Sequence, residues 1–464
     1  MRCSSNSCME ITSLSIKQLI AGIKKKEFSE EEIYRSYLQR IKKYNKDLNI
    51  FLTVCDKPYK ADKPSTAHLS GIPVGVKDIF VTKGLRTTAA SKVLENYMPE
   101  YSATLVNRIL ENGASVIGKT NLDAWAHGAS GENSDFGPTK NPWNIAYVPG
   151  GSSSGSAAAV AAGMCPAALA TDTGGSIRLP ASFCNAVGIK PSYGRCSRYG
   201  VIAMASSLDS PGVITKTAED CELMFHLIAG RDEYDGTSVP FKARALPKKI
   251  RVGIPKEYFS EGIDPEVRRK VEEAIRRLAD LPDVELAGEV SLPHTEYAVA
   301  TYYIIVPSEI SSNLARYDGI RYGHDRTQFG DEAKRRIMLG TYALSTGYYD
   351  AYYKKAMKVR TLIKQDFEKA FEKVDVLVAP VSPTPPFRLG EKVNDPLAMY
   401  MCDVLTGPVN LAGIPSLALP AGFTRSGLPI GMQLIGPQMG EEILFTLGKK
   451  YQEITDWQIR RPNL

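Results

Sequence analysis

Residues 149–180 read P-G-G-S-S-S-G-S-A-A-A-V-A-A-G-M-C-P-A-A-L-A-T-D-T-G-G-S-I-R-L-P. Two serine-bearing glycine turns flank a run of small residues. Gly150, Gly151 and Gly155 admit backbone conformations closed to other residues, whereas Ala157 to Ala162 predict a tightly packed helix. The first turn then lies at a helix N-terminus, where unpaired N–H groups and the positive end of the dipole favour negative charge. Ala167 to Thr171 is predicted as a buried strand, and the second turn follows it. There Ser176 comes directly after Gly174 and Gly175, so main-chain N–H groups from Thr173 to Ser176 are able to converge on one point, as in an oxyanion hole. A serine hydroxyl is a weak nucleophile at neutral pH and requires a base. Of the five histidines only His127 is near in sequence, and no Asp pairs with it in a triad spacing.

Other chemistries fit the stretch less well. Glycine and serine at a helix start are also ordinary capping and turn residues. A phosphate loop carries Lys after its second Gly, where this chain continues Ser156-Ala157. Gly151 to Gly155 spells G-x-S-x-G around Ser153, the nucleophile elbow of α/β-hydrolases, but that motif follows a strand. The preceding N-P-W-N-I-A-Y-V-P-G has two prolines and reads as a loop. Ser153 is therefore expected to be a bystander whose loss changes little.

The two turns, their separation and D-T-G-G-S-I-R-L-P resemble the amidase signature family, whose catalytic unit is Ser–Ser–Lys. The resemblance implies an α/β fold, a mixed central sheet wrapped by helices, with Ser176 as the acylated nucleophile and Ser152 as a bridging residue held by a cis peptide. Thr173, Gly174, Gly175 and Ser176 supply the oxyanion hole. It places the Lys upstream in a G-[IV]-K-D context, offered here as G-V-K-D at Gly75 to Asp78, so Lys77 is the candidate base. Ser154 stands where the family usually has Gly. From the residues alone, Gly71 to Val81 is predicted as a strand, with Lys77 on the face of Ile79 and Val81 and Asp78 on that of Val74 and Val76. Either way a charge enters an apolar surface. Such a Lys is ordinarily a snorkelling or edge residue; in a desolvated site it is drawn toward the neutral, proton-accepting form.

Composition bounds the remaining possibilities. With 464 residues, 43% of them hydrophobic, the chain is able to bury a large core, and a net charge of +6 without a basic tract argues against a dedicated nucleic-acid-binding domain. Eight scattered cysteines without a C-x-x-C or Cys/His cluster read as free thiols of a reducing compartment, and no metal site is expected. No signal peptide and no membrane-spanning run is apparent, which predicts a cytoplasmic protein. Amphipathic helices are expected between Ser13 and Tyr44, with a capped start at Ser29, and again from Asp264 and from Phe445 to Ile454. Strands are expected at Ile250 to Ile254 and within V-D-V-L-V-A-P-V and L-P-I-G-M-Q-L-I-G-P. One domain is expected over 1–464: a helical lead-in to about 50, a signature core over about 65–230, an inserted, partner-facing region over about 240–370 and a C-terminal sheet and helix over 371–464.

S-S-N-L-A-R-Y-D-G-I-R-Y-G and the Tyr-rich run K-R-R-I-M-L-G-T-Y-A-L-S-T-G-Y-Y-D-A-Y-Y-K-K-A-M-K-V-R resemble one branch of the family, the glutaminase subunits of tRNA-dependent amidotransferases. Read without that resemblance, the tyrosines form a helical stripe of the kind most often buried. Arg360 falls on the apolar stripe of Ala356, Val359, Ile363 and Phe367, and Asp403 stands alone in an apolar run, so each needs a partner. The two are either structural partners of each other or, as the resemblance implies, a clamp with Arg360 on the α-carboxylate and Asp403 on the α-ammonium of free glutamine. The resemblance further implies ammonia passed to a B subunit that uses ATP and Mg²⁺ to activate misacylated Glu-tRNA or Asp-tRNA, with a small C subunit completing a heterotrimer. A free-standing amidase on another small amide, and a binding protein with a dead triad, are the rival expectations.

Overall fold

The computed structural model describes residues 10–240, 244–321 and 323–464. Among them, eleven strands form one mixed sheet. In chain order these are β1 (Phe51–Tyr59), β2 (Pro73–Lys77), β3 (Ser115–Thr120), β4 (Ala167–Asp172), β5 (Val187–Lys190), β6 (Ser210–Thr215), β7 (Ile250–Pro255), β8 (Val284–Val290), β9 (Val376–Pro380), β10 (Ser416–Phe423) and β11 (Pro429–Ile435). Across the sheet they lie β1-β3-β2-β4-β6-β5-β10-β11-β9-β7-β8. The triplet β3-β2-β4 is parallel, as is β9-β7-β8, and antiparallel pairings join the two. Buried on both faces, β2 and β4 read as continuous small and β-branched runs instead of alternating ones. The sheet continues past the polar stretch Leu223 to Pro240, since β7 and β8 extend it on the far side.

The helix Ser154–Ala161 lies directly on β2, β3 and β4, and all eight of its residues are buried. Small side chains make that approach possible. A Cβ at Gly155 would fall 2.6 Å from the Asn121 main chain and from Ile50 O, so no other residue fits. Ser156 bonds Leu169 O and Thr120 Oγ1, tying the helix to β4 and β3. The N-terminal helices Ile16–Lys25 and Glu30–Leu48 form as expected, the second opened by a Ser29/Glu32 capping box, and Asp264 caps Pro265–Ala279.

Two elements differ from expectation. The strand predicted over Gly71 to Val81 ends at Lys77, because Lys77 O closes a turn with Phe80 N. Asp78 leaves the ladder to accept from Thr88 N and Oγ1 and to pair with Lys119 at 3.0 Å. The Tyr-rich run is also no single buried stripe. It divides into Asp331–Ala343, a π-helical turn Tyr349–Lys354 and Lys355–Lys373, and Tyr342, Tyr348, Tyr349 and Tyr352 are exposed. Ser345, Thr346 and Gly347 interrupt the helix between Tyr342 and Tyr348, whose exposed rings meet at 4.3 Å. Among the described residues no helix is long and apolar enough to cross a membrane, and the six described cysteines are free and buried.

Candidate active site

Lys77 is the last residue of β2, at the end of a strand buried on both faces, and its side chain is completely buried. Nζ lies 2.9 Å from Ser152 Oγ, 2.8 Å from Ser153 Oγ and 2.9 Å from Thr171 Oγ1. Desolvation dominates its electrostatics and brings its pKa down to about 7, against the opposing pull of Asp123, Asp172 and Asp209. A lysine so placed is available in its neutral form near neutral pH. Neutral Nζ has two N–H donors and one lone pair. Ser153 Oγ already donates to Thr171 O at 3.1 Å, so toward Lys77 it accepts. With Ser153 and Thr171 taking the two N–H bonds, the lone pair is left for the Ser152 hydroxyl. Ser153 is thus in direct contact with Lys77 Nζ, at odds with the expectation that it is a bystander. Spacing to a motif centre gave no hint of this role; it arises from the fold of Gly151-Ser152-Ser153 around Nζ, in which the Gly151–Ser152 peptide is cis.

Ser176 sits on the adjoining turn. Its carbonyl accepts from Ser153 N at 3.1 Å, and it is 7% exposed, whereas Ser152 and Lys77 have no exposure. No hydrogen bond closes the step from Ser152 to Ser176 among the described residues; such contacts in unliganded sites commonly tighten only with substrate. Among the described residues, none of the main-chain N–H groups of Thr173, Gly174, Gly175 and Ser176 donates a hydrogen bond. Four donors are therefore grouped on one turn and remain available to a developing oxyanion.

That turn is braced from below. Asp172 accepts from Ile177 N, Arg178 N, Arg178 Nε and Arg178 Nη2, while Arg178 also donates to Gln433 and Thr406 O. Burial pushes the Asp172 carboxyl upward, but the Arg178 charge and hydrogen bonds outweigh it and hold the group down at about 2. Thr173 Oγ1 is fixed to Asp209 at 2.7 Å and Thr406 Oγ1 to Gly174 O at 2.5 Å. Gly175, at φ +150°, allows this closeness: a Cβ there would fall 2.3 Å from Thr406 Oγ1 and 3.0 Å from Asp403 Oδ1.

Asp403 therefore faces the turn that carries Ser176. Desolvation raises it to about 8, with the Arg336 charge as the largest opposing influence. Arg360 is not brought to this cluster. Its guanidinium donates to Leu411 O, Ser207 Oγ and Ser207 O at 2.9–3.0 Å, a clasp satisfied by carbonyls and a hydroxyl. The apolar stripe thus marked a structural arginine, and neither the clamp with Asp403 nor a direct Arg360–Asp403 pairing is formed.

The arginine that does approach is Arg336, on the helix Asp331–Ala343. It is 3% exposed, donates through Nε to Glu332 at 2.7 Å, and lies over the rings of Tyr303 and Tyr400 at 5.4 and 5.6 Å. Its two terminal amino groups make no hydrogen bond among the described residues. They border a cavity of about 300 Å³ whose walls include Asp123, His127, Ser130, Tyr303, Glu332 and Tyr400. Tyr303 and Tyr400, stacked at 3.9 Å, also border the crevice at Asp403, and the Tyr302 hydroxyl would lie 2.5 Å from a Cβ at Gly174. A helical signal for Arg336 existed in the sequence. It shares a face with buried Ala333, Gly340 and Ala343, a pattern as strong as the one that drew attention to Arg360.

Elsewhere, Glu222, His226 and Glu442 bring one ligand atom each within 4.8 Å of one another. Glu222 is paired with Lys449 at 2.6 Å and His226 with Glu442 at 3.6 Å, so these groups satisfy each other.

The chain as a whole is similar to proteins of known name. The A subunit of glutamyl-tRNA(Gln) amidotransferase from Geobacter metallireducens is 51% identical over 98% of this chain and 100% of its own, and that from Geotalea daltonii is 52% identical over the same shares. The crystal structure of the corresponding A subunit of glutamyl-tRNA(Gln) amidotransferase from Thermotoga maritima matches with a TM-score of 0.86 at 39% identity, covering 99% of this chain and 100% of that one. The family profile described as Amidase matches residues 32–445, which take in Lys77, both serines and Asp403, and the chain belongs to that family.

Proposed function

We propose that this chain is the glutaminase component of a tRNA-dependent amidotransferase, with Lys77, Ser152 and Ser176 as its catalytic residues. The observation that carries the proposal is the desolvated Lys77 Nζ at 2.9 Å from Ser152 Oγ, beside a turn of unspent N–H donors and a cavity holding both an open guanidinium and carboxylates. A cavity lined by both signs of charge suits a zwitterion. The α-carboxylate of glutamine is gripped by Arg336, in the role first expected of Arg360, and its α-ammonium by Asp403.

In the reaction, neutral Lys77 takes the Ser152 proton as Ser152 takes that of Ser176. Ser176 Oγ attacks the side-chain carboxamide, and the N–H groups of Thr173 to Ser176 hold the oxyanion. The proton returns through Ser152 to the leaving nitrogen, ammonia departs, and water, deprotonated by the same route, hydrolyses the glutamyl ester. The relatives' name supports an assembly in which the ammonia amidates a misacylated tRNA. B and C subunits would complete that assembly, with ATP and Mg²⁺ used by the B subunit.

The test is ammonia release by the purified chain from glutamine, propionamide and benzamide, in wild type and Ser176→Ala. Glutamine should be strongly preferred and Ser176→Ala inactive on all three. Faster turnover of propionamide or benzamide than of glutamine would replace this reading with a free-standing amidase.

A further inference from the structure

His127 is fully buried, yet neither ring nitrogen has a hydrogen-bond partner among the described residues. A buried polar atom left unpaired costs on the order of 1–3 kcal/mol. The main chain around it is firmly held: His127 N donates to Ala124 O at 2.9 Å and His127 O accepts from Asn133 Nδ2 at 2.7 Å. The two residues before it, Trp125 and Ala126, both adopt left-handed backbone, at φ 59° and 63°, although neither is glycine. Such conformations persist where surrounding contacts over-determine them. Trp125 has those contacts, its ring against Tyr317 at 4.8 Å and Phe329 at 5.3 Å and its main-chain N–H on Ala89 O. The chain is thus bent and anchored at the edge of the cavity that Arg336 borders, and His127 is one of the residues that line it.

The ring is neutral there. Burial lowers its pKa well below the usual histidine range, and the Arg336 charge adds to the effect. A neutral imidazole has one N–H to give, and beside a guanidinium the natural recipient is an anion that both touch.

We infer that His127 is a substrate-binding residue, its ring N–H donating to a second lone pair of the glutamine α-carboxylate that Arg336 holds. This rests on the glutaminase reading above, and it adds a neutral donor to a carboxylate site otherwise made by charge. The geometry suits recognition of an anion and gives no reason for a role in the chemical step.

The test uses the full chain and two amides, glutamine and 4-aminobutanamide, which is glutamine without its α-carboxylate. His127→Phe keeps a ring of similar size and removes the donor. It should raise KM for glutamine about tenfold with kcat little changed, the loss expected for one hydrogen bond to a charged group. On 4-aminobutanamide, wild type and His127→Phe should have equal kcat/KM. His127→Asn, which retains an N–H, should recover part of the glutamine affinity, and it keeps the test open if the phenylalanine variant does not fold. An unchanged KM for glutamine in both variants, or equal losses on the two amides, overturns the inference and leaves His127 structural. A wild-type chain that hydrolyses glutamine neither alone nor with B and C subunits removes the glutaminase reading and this inference together, whereas normal wild-type turnover with unaffected variants removes only the inference.

Discussion

If Lys77 is the base, the pH dependence of turnover is set by its burial. The group falls from 10.5 to about 7, chiefly by desolvation, and at about 1.36 kcal/mol per unit this shifts the balance by about 5 kcal/mol toward the neutral form, relative to an ordinary lysine. At pH 8 roughly nine-tenths of the protein would carry neutral Lys77, against well under about 1% for an unperturbed lysine. kcat at saturating glutamine should therefore climb about tenfold per unit up to pH 7 and then level. kcat/KM should show a second ascending limb, because Asp403 must ionise to bind an ammonium group and is raised to about 8 by desolvation. Asp403→Asn should weaken binding and abolish that upper limb while keeping the lower one. Stability follows the same group. Between pH 7 and 10.5 the unfolded chain binds the lysine proton and the folded chain does not, so rising pH favours the fold. In urea unfolding, wild type should thus gain about 3 kcal/mol on Lys77→Met between pH 7 and 9.5. Lys190, also brought down to about 7 by burial, is common to both and cancels. A kcat profile that is flat from pH 6 to 9, or that inflects above 9, would refute neutral Lys77 as the base.

Other outcomes follow from the geometry. Ser153→Ala removes an acceptor 2.8 Å from Nζ and should lower kcat about tenfold without abolishing it; complete inactivity with an active Ser176→Ala would restore the hydrolase elbow. Arg336→Lys should raise KM for glutamine at least about tenfold by ending two-point recognition, whereas Arg360→Lys should show its main effect as a lower Tm; the reverse pattern would return the carboxylate site to Arg360. Glutaminase kcat/KM, measured for the chain alone, then with B and C subunits, then with misacylated tRNA and ATP, should rise along the series; a full rate from the isolated chain would favour a free-standing amidase.

What the sequence made legible was local. Glycines, serines and alanines in 149–180 have few alternative uses, and they led to the helix Ser154–Ala161, β4 and the turn bearing Ser176. Lys77 needed the resemblance, since a strand pattern says that a charge is buried without saying which groups meet it. Arg336 and Arg360 show where periodicity stops: both lie on the inner face of a helix, and only tertiary packing decides that one meets Ser207 and Leu411 while the other meets a cavity. The exposed tyrosines were misread for a related reason. A stripe at helical spacing presumes one unbroken helix, and the Ser345-Thr346-Gly347 break changes the phase.

Asp123 joins two things usually treated apart. Its N–H donates to Ser152 O at 3.2 Å, and its carboxylate lies so close to Gly151 that a Cβ there would fall 1.9 Å from it. The same carboxylate accepts from Gly131 N and Asn133 N and forms part of the cavity wall. On the proposed mechanism, the cavity lining that takes the substrate and the peptide that presents Ser152 therefore share one hinge-pin. Selectivity and rate cannot be tuned as independent dials in this architecture. Drift toward a bulkier amide through residues 128–133 would carry a change in turnover with it, and second-site changes near Gly151 are where compensation would arise.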